Sequence, residues 1–204
     1  MSLVARTETG LAAPLAAVFI EARTALAFGD GPVTEAQLRR LHELARFGPT
    51  AFNGQPLRVS YLRQGAARER LAGHLTERNR DKALAAPLTA ILSVDTAWHE
   101  RLAEVFAHAP AVRDRLAADP AERRRTGWEN AHVQAGYYLL AARAAGLAVG
   151  PMGGFDRAGV DREFFPAGTR ESFLVVNLGH PLPGAWREPR LPRLGYDDVV
   201  EVLG

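Results

Sequence analysis

The chain contains no cysteine in its 204 residues. That excludes disulfides, thiolate zinc sites, iron-sulfur ligation and a cysteine nucleophile, and it agrees with a reducing cytoplasm where no disulfide framework is needed. Long apolar runs are missing too. The longest near the start, Leu11 to Ile20, is too short to span a bilayer and has no basic leader followed by a cleavage site, so neither membrane nor export is expected. Six histidines lie scattered with no His-Glu-x-x-His, which argues against a metal site. Ser60, Ser93 and Ser172 fall in predicted strands rather than on a strained turn, which disfavours a serine nucleophile. No Gly-x-Gly-x-x-Gly follows a strand, so a dinucleotide fingerprint is absent.

Lysine is the most telling scarcity: the 25 basic residues include only one, Lys82, in Asn79-Arg80-Asp81-Lys82. A guanidinium is a flat fork, whereas an ammonium is a compact charge able to approach a ring edge, so a lone lysine among arginines marks a candidate site. The formal charge is +2 with pI about 9.4, but acidic and basic residues alternate locally and no nucleic-acid surface is expected. The densest basic run, Arg123 to Arg125, reads as a solvated turn or helix end.

With 47% hydrophobic residues and no long polar linker, a single domain spanning 1–204 is expected. Thr34 and Gln37 form a capping-box start, followed by Leu38, Leu41, Leu44 and Ala45 at helical spacing until Gly48-Pro49. Leu57 to Leu62 alternates like a half-buried strand and Leu88 to Val94 is apolar like a central one. Between them, Ala66 to Leu75 and Asn79 to Ala85 read as helices, the second stopped by Pro87. Asn130 to Ala145 reads as a deeply packed helix, Leu147 to Val149 and Phe173 to Leu178 as strands, and Asp197 to Leu203 as a last helix. The interleaving indicates an α+β protein.

Three further segments carry polar or backbone-exposing groups. Gly48 to Pro56 holds hydroxyl and carboxamide groups between two structural stops, Gly150 to Gly154 would let main-chain amides approach a flat ligand, and Arg190-Leu191-Pro192-Arg193 offers guanidinium forks. Together with Asn79 and Lys82, these segments resemble the flavin-dependent nitroreductase family in order from about Glu21 to Leu203. The echoes are Ala22 to Phe28, Pro49 to Pro56, Asn79 with Lys82, Pro151 to Asp156, and Arg190 to Pro192. Within the family the chain looks most like the malonic semialdehyde reductase branch.

The resemblance implies an intertwined homodimer with a central, mostly antiparallel sheet flanked by helices and two FMN sites at the interface. NAD(P)H would be the hydride donor and a small molecule the acceptor, in ping-pong order. By the same resemblance Arg23, Thr24 and Arg190 would meet the FMN phosphate and ribityl chain. Asn79 and Lys82 would meet the pyrimidine edge of the ring, the main chain at Gly153 and Gly154 would lie by its N5, and Met152 is a further cofactor-binding candidate. Pro49, Thr50, Ala51 and Asn53 would reach in from the partner subunit. Phe52, Trp98 and Phe106 are candidate acceptor contacts, the last two within a covering segment from Thr96 to Trp128. Arg101, Arg113 and Arg115 are candidates for holding an acceptor carboxylate. Many relatives have arginine at Ala22 and a basic residue at Leu26, so the phosphate anchor differs here. Promiscuous reduction of nitroaromatics or quinones, and flavin binding without reductase turnover, are the alternatives.

Overall fold

A computed structural model of the chain describes residues 13–204; residues 1–12, part of the expected domain and of the Leu11 to Ile20 run, lie outside the described residues. Four strands, β1 (Leu57–Leu62), β2 (Leu88–Asp95), β3 (Ala148–Met152) and β4 (Arg170–Gly179), form one sheet in the order β1-β2-β4-β3. Every pairing is antiparallel. The architecture is α+β, as the interleaving of elements predicts.

The sheet is a central layer because β2 is apolar on both faces and buried along almost its whole length. Leu88, Ala90, Leu92 and Val94 point to one side, where they meet α2 (Glu35–Ala45) and α7 (Pro120–Ala144). Ile91 points to the other, with Val175 and Met152, against α3 (Ala66–Gly73), α4 (Glu77–Ala85) and α8 (Arg157–Phe164). α1 (Ala13–Phe19) leans on α7, and the segment between β2 and α7 carries the short helices α5 (Leu102–Val105) and α6 (Pro110–Ala118).

Caps explain several boundaries. Thr34 accepts from the Gln37 amide while Gln37 reaches back, completing the capping box expected at α2. Pro120 opens α7 at a position where no amide bond is lost, and Asp119 caps it. That helix runs for 25 residues, ten longer at its start than the pattern from Asn130 indicates, so Arg123 to Arg125 lie in its first turns. α4 begins two residues before Asn79, at Glu77.

Two expectations fail. β3 continues through Gly150 and Pro151 to Met152, which had read as loop; an edge strand tolerates proline because its outer side needs no ladder donor. The tail from Asp197 to Leu203 is not a helix: a single 3-10 turn covers Tyr196–Asp198, and Val202 and Leu203 are exposed. Seven residues rich in β-branched side chains, left exposed among the described residues, do not sustain a helix.

Candidate functional site

The residues singled out by sequence fall into three groups, and two of them share the β3 edge. In the first, α4 docks on the turn that follows β3. Asn79 Nδ2 donates to the Gly154 carbonyl at 3.1 Å, and the Thr76 amide donates to the same oxygen at 3.1 Å. Leu75 bridges Phe155, and the Asp156 amide reaches the His74 carbonyl, so the start of α4 and residues 154–156 form one unit. A Cβ at Gly154 would sit 2.9 Å from Asn79 Nδ2, whereas one at Gly153 would meet nothing within 4 Å. Gly154 is thus required by packing, and Gly153 leaves open space over exposed backbone.

Lys82 lies one helical turn beyond Asn79, half-buried on the same helix. Among the described residues its ammonium has no carboxylate within ion-pairing distance. Met152 is 6% exposed, packs in the core beside Val175, and its sulfur accepts from Asn177 Nδ2.

What fixes α4 is a residue the sequence reading missed. Arg68 is 1% exposed, and its guanidinium donates to the Ala83 and Ala86 carbonyls at the end of α4 and to the Leu62 carbonyl at the end of β1. Burial pushes its pKa down to about 10, so it remains a cation at neutral pH and serves as a charged C-cap. An arginine on the buried face of α3 was the available signal.

The second group is the segment before α2. Thr24 bridges Val149 of β3, and the Ala25 amide donates to the Val149 carbonyl, laying residues 24 and 25 along the strand. Arg23 donates through Nη1 to the Ile20 and Glu21 carbonyls, yet its Nε is buried without a partner among the described residues. Arg190 clamps the same turn from the tail, donating to the Ile20 and Ala22 carbonyls.

The third group is elsewhere. The loop from Pro49 to Pro56 precedes β1, at the opposite edge of the sheet. Phe52, Asn53 and Gln55 all have positive φ, of 56°, 51° and 46°, a conformation costly for side chains other than glycine. Carboxamides of α7 hold it: Asn130 Oδ1 accepts from the Ala51 amide at 2.7 Å and Gln134 Oε1 from the Leu57 amide at 2.9 Å. Asn53 Nδ2 donates to the Val105 carbonyl, and the Gln55 amide donates to Thr50 Oγ1. Neither Asn130 nor Gln134 stood out in the sequence, because each partner lies more than 70 positions away.

The covering segment does pack beside this loop. Phe106 meets Phe52 edge to face at 5.8 Å, and both are half-buried. Trp98, however, is 1% exposed; its Nε1 donates to the Arg123 carbonyl, and its ring is wedged between Gly54 and Gly127. Within this chain its ring is packed on both faces. Arg101, Arg113 and Arg115 each pair with a nearby carboxylate, Glu104, Asp114 and Glu122 respectively. Among the described residues no three of His, Asp and Glu converge as metal ligands, and no helix is long and apolar enough to cross a membrane.

The fold is an antiparallel sheet between two helical layers, with a glycine turn and Asn79 joined at the β3 edge and Lys82 on the same helix. The chain belongs to the Nitroreductase family, whose sequence model matches residues 21–180. It is 49% identical to a Streptomyces coelicolor protein over 91% of this chain and 94% of that one, and 47% identical to a Leptothrix cholodnii protein with the same coverage. Both are provisionally named NADH dehydrogenase/NAD(P)H nitroreductase. Among solved structures, a Bacillus subtilis protein titled as a nitroreductase superposes with TM-score 0.80 at 22% identity, covering 94% of this chain and 99% of that one. An Exiguobacterium sibiricum protein crystallised with FMN superposes with TM-score 0.77 at 15% identity, covering 91% and 95%.

Proposed function

We propose that the chain is a cytoplasmic, FMN-dependent NAD(P)H oxidoreductase, a single domain per subunit, that works as an intertwined homodimer. The observation that carries the reading is the junction of α4 with the turn after β3: Asn79 locked on the Gly154 carbonyl, open space at Gly153, and Lys82 one turn away without a counter-ion. The names of its relatives and the FMN in a structural neighbour support the cofactor and the donor.

The residues fit FMN. A flat ring meets no Cβ at Gly153, and the buried, unpartnered Nε of Arg23 is a donor in want of an anion. Bound FMN would supply two-electron chemistry, taking hydride from NAD(P)H and giving it to an acceptor in a second half-reaction. Lys82 would hold positive charge against the ring edge, favouring the negative charge that reduction places there. Asn79 spends one amide hydrogen on Gly154 and keeps Oδ1 as an acceptor for a ring N–H. Arg23 and Thr24 would take the phosphate end, while Arg190 holds the Ile20 to Ala22 turn in shape.

The loop from Pro49 to Pro56 lies at the opposite edge of the sheet from β3, which favours its serving the site of a second copy. A second copy supplies it in our reading, with Phe52 and Phe106 lining the acceptor space. The local ion pairs of Arg101, Arg113 and Arg115 favour an uncharged, flat acceptor such as a quinone or nitroaromatic. A short carbonyl acid such as malonic semialdehyde is the second reading, and it requires Arg115, which also lies 5.8 Å from the Phe52 ring, to exchange Glu122 for the substrate. Such an exposed pair is worth little and exchanges readily.

Anaerobic addition of NADH or NADPH to the FMN-loaded protein tests the reading. Bleaching of the flavin, and recovery on adding an acceptor, is the expected result. A spectrum indifferent to both nicotinamides would leave a flavin-binding protein without turnover. Steady-state rates with menadione and with malonic semialdehyde then separate the acceptors.

A further inference from the structure

A cavity of about 350 Å³ lies between the last turn of α7, the start of β3, the segment from Glu21 to Ala27 and the stretch from Pro181 to Trp186. Its lining is mostly alanine, valine, leucine and proline, yet it contains two guanidinium groups, those of Arg23 and Arg143. Each has a buried Nε with no hydrogen-bond partner among the described residues. Arg143 otherwise makes one long contact, Nη1 to the Val18 carbonyl at 3.4 Å, and forms no ion pair among the described residues. Glu21 also lines the cavity, but it is exposed and pairs with neither arginine.

Two guanidinium groups of like charge line one cavity with no carboxylate paired to either among the described residues, and an anion between them would offset their repulsion and desolvation. The backbone holds Arg143 firmly in place. The Gly146 amide donates to the Arg143 carbonyl and the Leu147 amide to the Ala142 carbonyl, a Schellman closure made possible by φ of +81° at Gly146. Burial lowers the Arg143 pKa by desolvating the guanidinium. The chain also has alanine at position 22 and leucine at position 26, so the segment from Glu21 to Ala27 brings one cation, Arg23, to this cavity.

We infer that Arg143 is the second cation of a phosphate-monoester anchor, shared with Arg23, and that the ester it holds is the phosphate of the flavin cofactor. The inference rests on the FMN reading above. Arg143 binds and orients the phosphate end, far from the hydride chemistry, and so acts on affinity rather than on turnover.

The test compares FMN with riboflavin, which carries the same ring without the phosphate, by fluorescence titration of the flavin-free protein. The wild-type chain is expected to prefer FMN strongly. Arg143→Gln lowers FMN affinity by about tenfold or more, the cost of one charge-assisted hydrogen bond, and leaves riboflavin affinity unchanged. Arg143→Lys recovers part of the loss. Thermal unfolding of both variants, without flavin, controls for a helix-end role. An unchanged ratio of FMN to riboflavin affinity in Arg143→Gln overturns the inference, as does an equal loss for both flavins. A variant that keeps that ratio but loses preference for NADPH over NADH overturns it in favour of the nicotinamide phosphate. Failure of the wild-type chain to bind either flavin would strike the cofactor reading itself, a result distinguishable from the others.

Discussion

The β3 edge and the loop before β1 reach order by opposite means. At the β3 edge, glycine stands where space is needed, and an asparagine and a threonine near the start of α4 close on a single carbonyl oxygen at Gly154. Before β1, a loop with three non-glycine residues at positive φ is held by carboxamides borrowed from a distant helix. A relaxed edge keeps its geometry without a ligand, whereas a strained loop persists only because its surroundings over-determine it. The difference teaches that the first region is a platform and the second a shaped insert, which is how two halves of one interfacial site would divide the work.

The comparison breaks most completely at Arg68. Arg68→Met strands three buried carbonyls at the ends of α4 and β1, and a loss of about 3 kcal/mol or more is expected in denaturant unfolding, together with loss of flavin binding. A variant that unfolds like wild type would show that α4 stands without its cap. Next is Lys82→Gln, expected to leave stability within about 0.5 kcal/mol while slowing reduction by NAD(P)H by roughly tenfold or more, read by stopped flow. Gly127→Ala places a Cβ 2.7 Å from Trp98 Nε1, and overpacking of about 1–3 kcal/mol should appear in thermal melts. Asn130→Ala loosens the loop before β1 alone, by about 1 kcal/mol, with hydrogen exchange rising at Ala51 and not at Gly154.

The smallest effect concerns pH. His99 is buried, and desolvation, aided by Arg123 and Arg113, lowers its pKa below 6.5. The unfolded chain therefore takes up this proton first as pH falls, so the stability His99 contributes is present above pH 6.5 and is lost on acidification through its folded pKa. His99→Gln should flatten the slope of stability against pH in that acid window, measured by urea titration at several pH values.

How much was legible in the sequence follows from the range of the interactions. The capping box at Thr34 and the strand β2 are local patterns, and both stand where the pattern put them. Asn79 and Gly154 lie 75 positions apart, yet each sits in its own short motif, so both were visible before their contact was. Arg68, Asn130 and Gln134 act through backbone groups that only the tertiary fold brings near, and a lone polar residue on a helix announces no such partner. The tail misled for a related reason: its apolar residues have the spacing of a helix but are left exposed among the described residues.

The central claim is that the β3 edge of one copy and the loop before β1 of another make one flavin site, and subunit mixing tests it most directly. A chain with Gly154→Val and a chain carrying Asn53→Ala with Asn130→Ala, each flavin-free alone, would be unfolded and refolded together. Random pairing gives mixed dimers in half of the population with one intact site of two, so about a quarter of wild-type FMN occupancy is expected to return. No occupancy above that of either variant alone would contradict the account and return the whole site to a single chain.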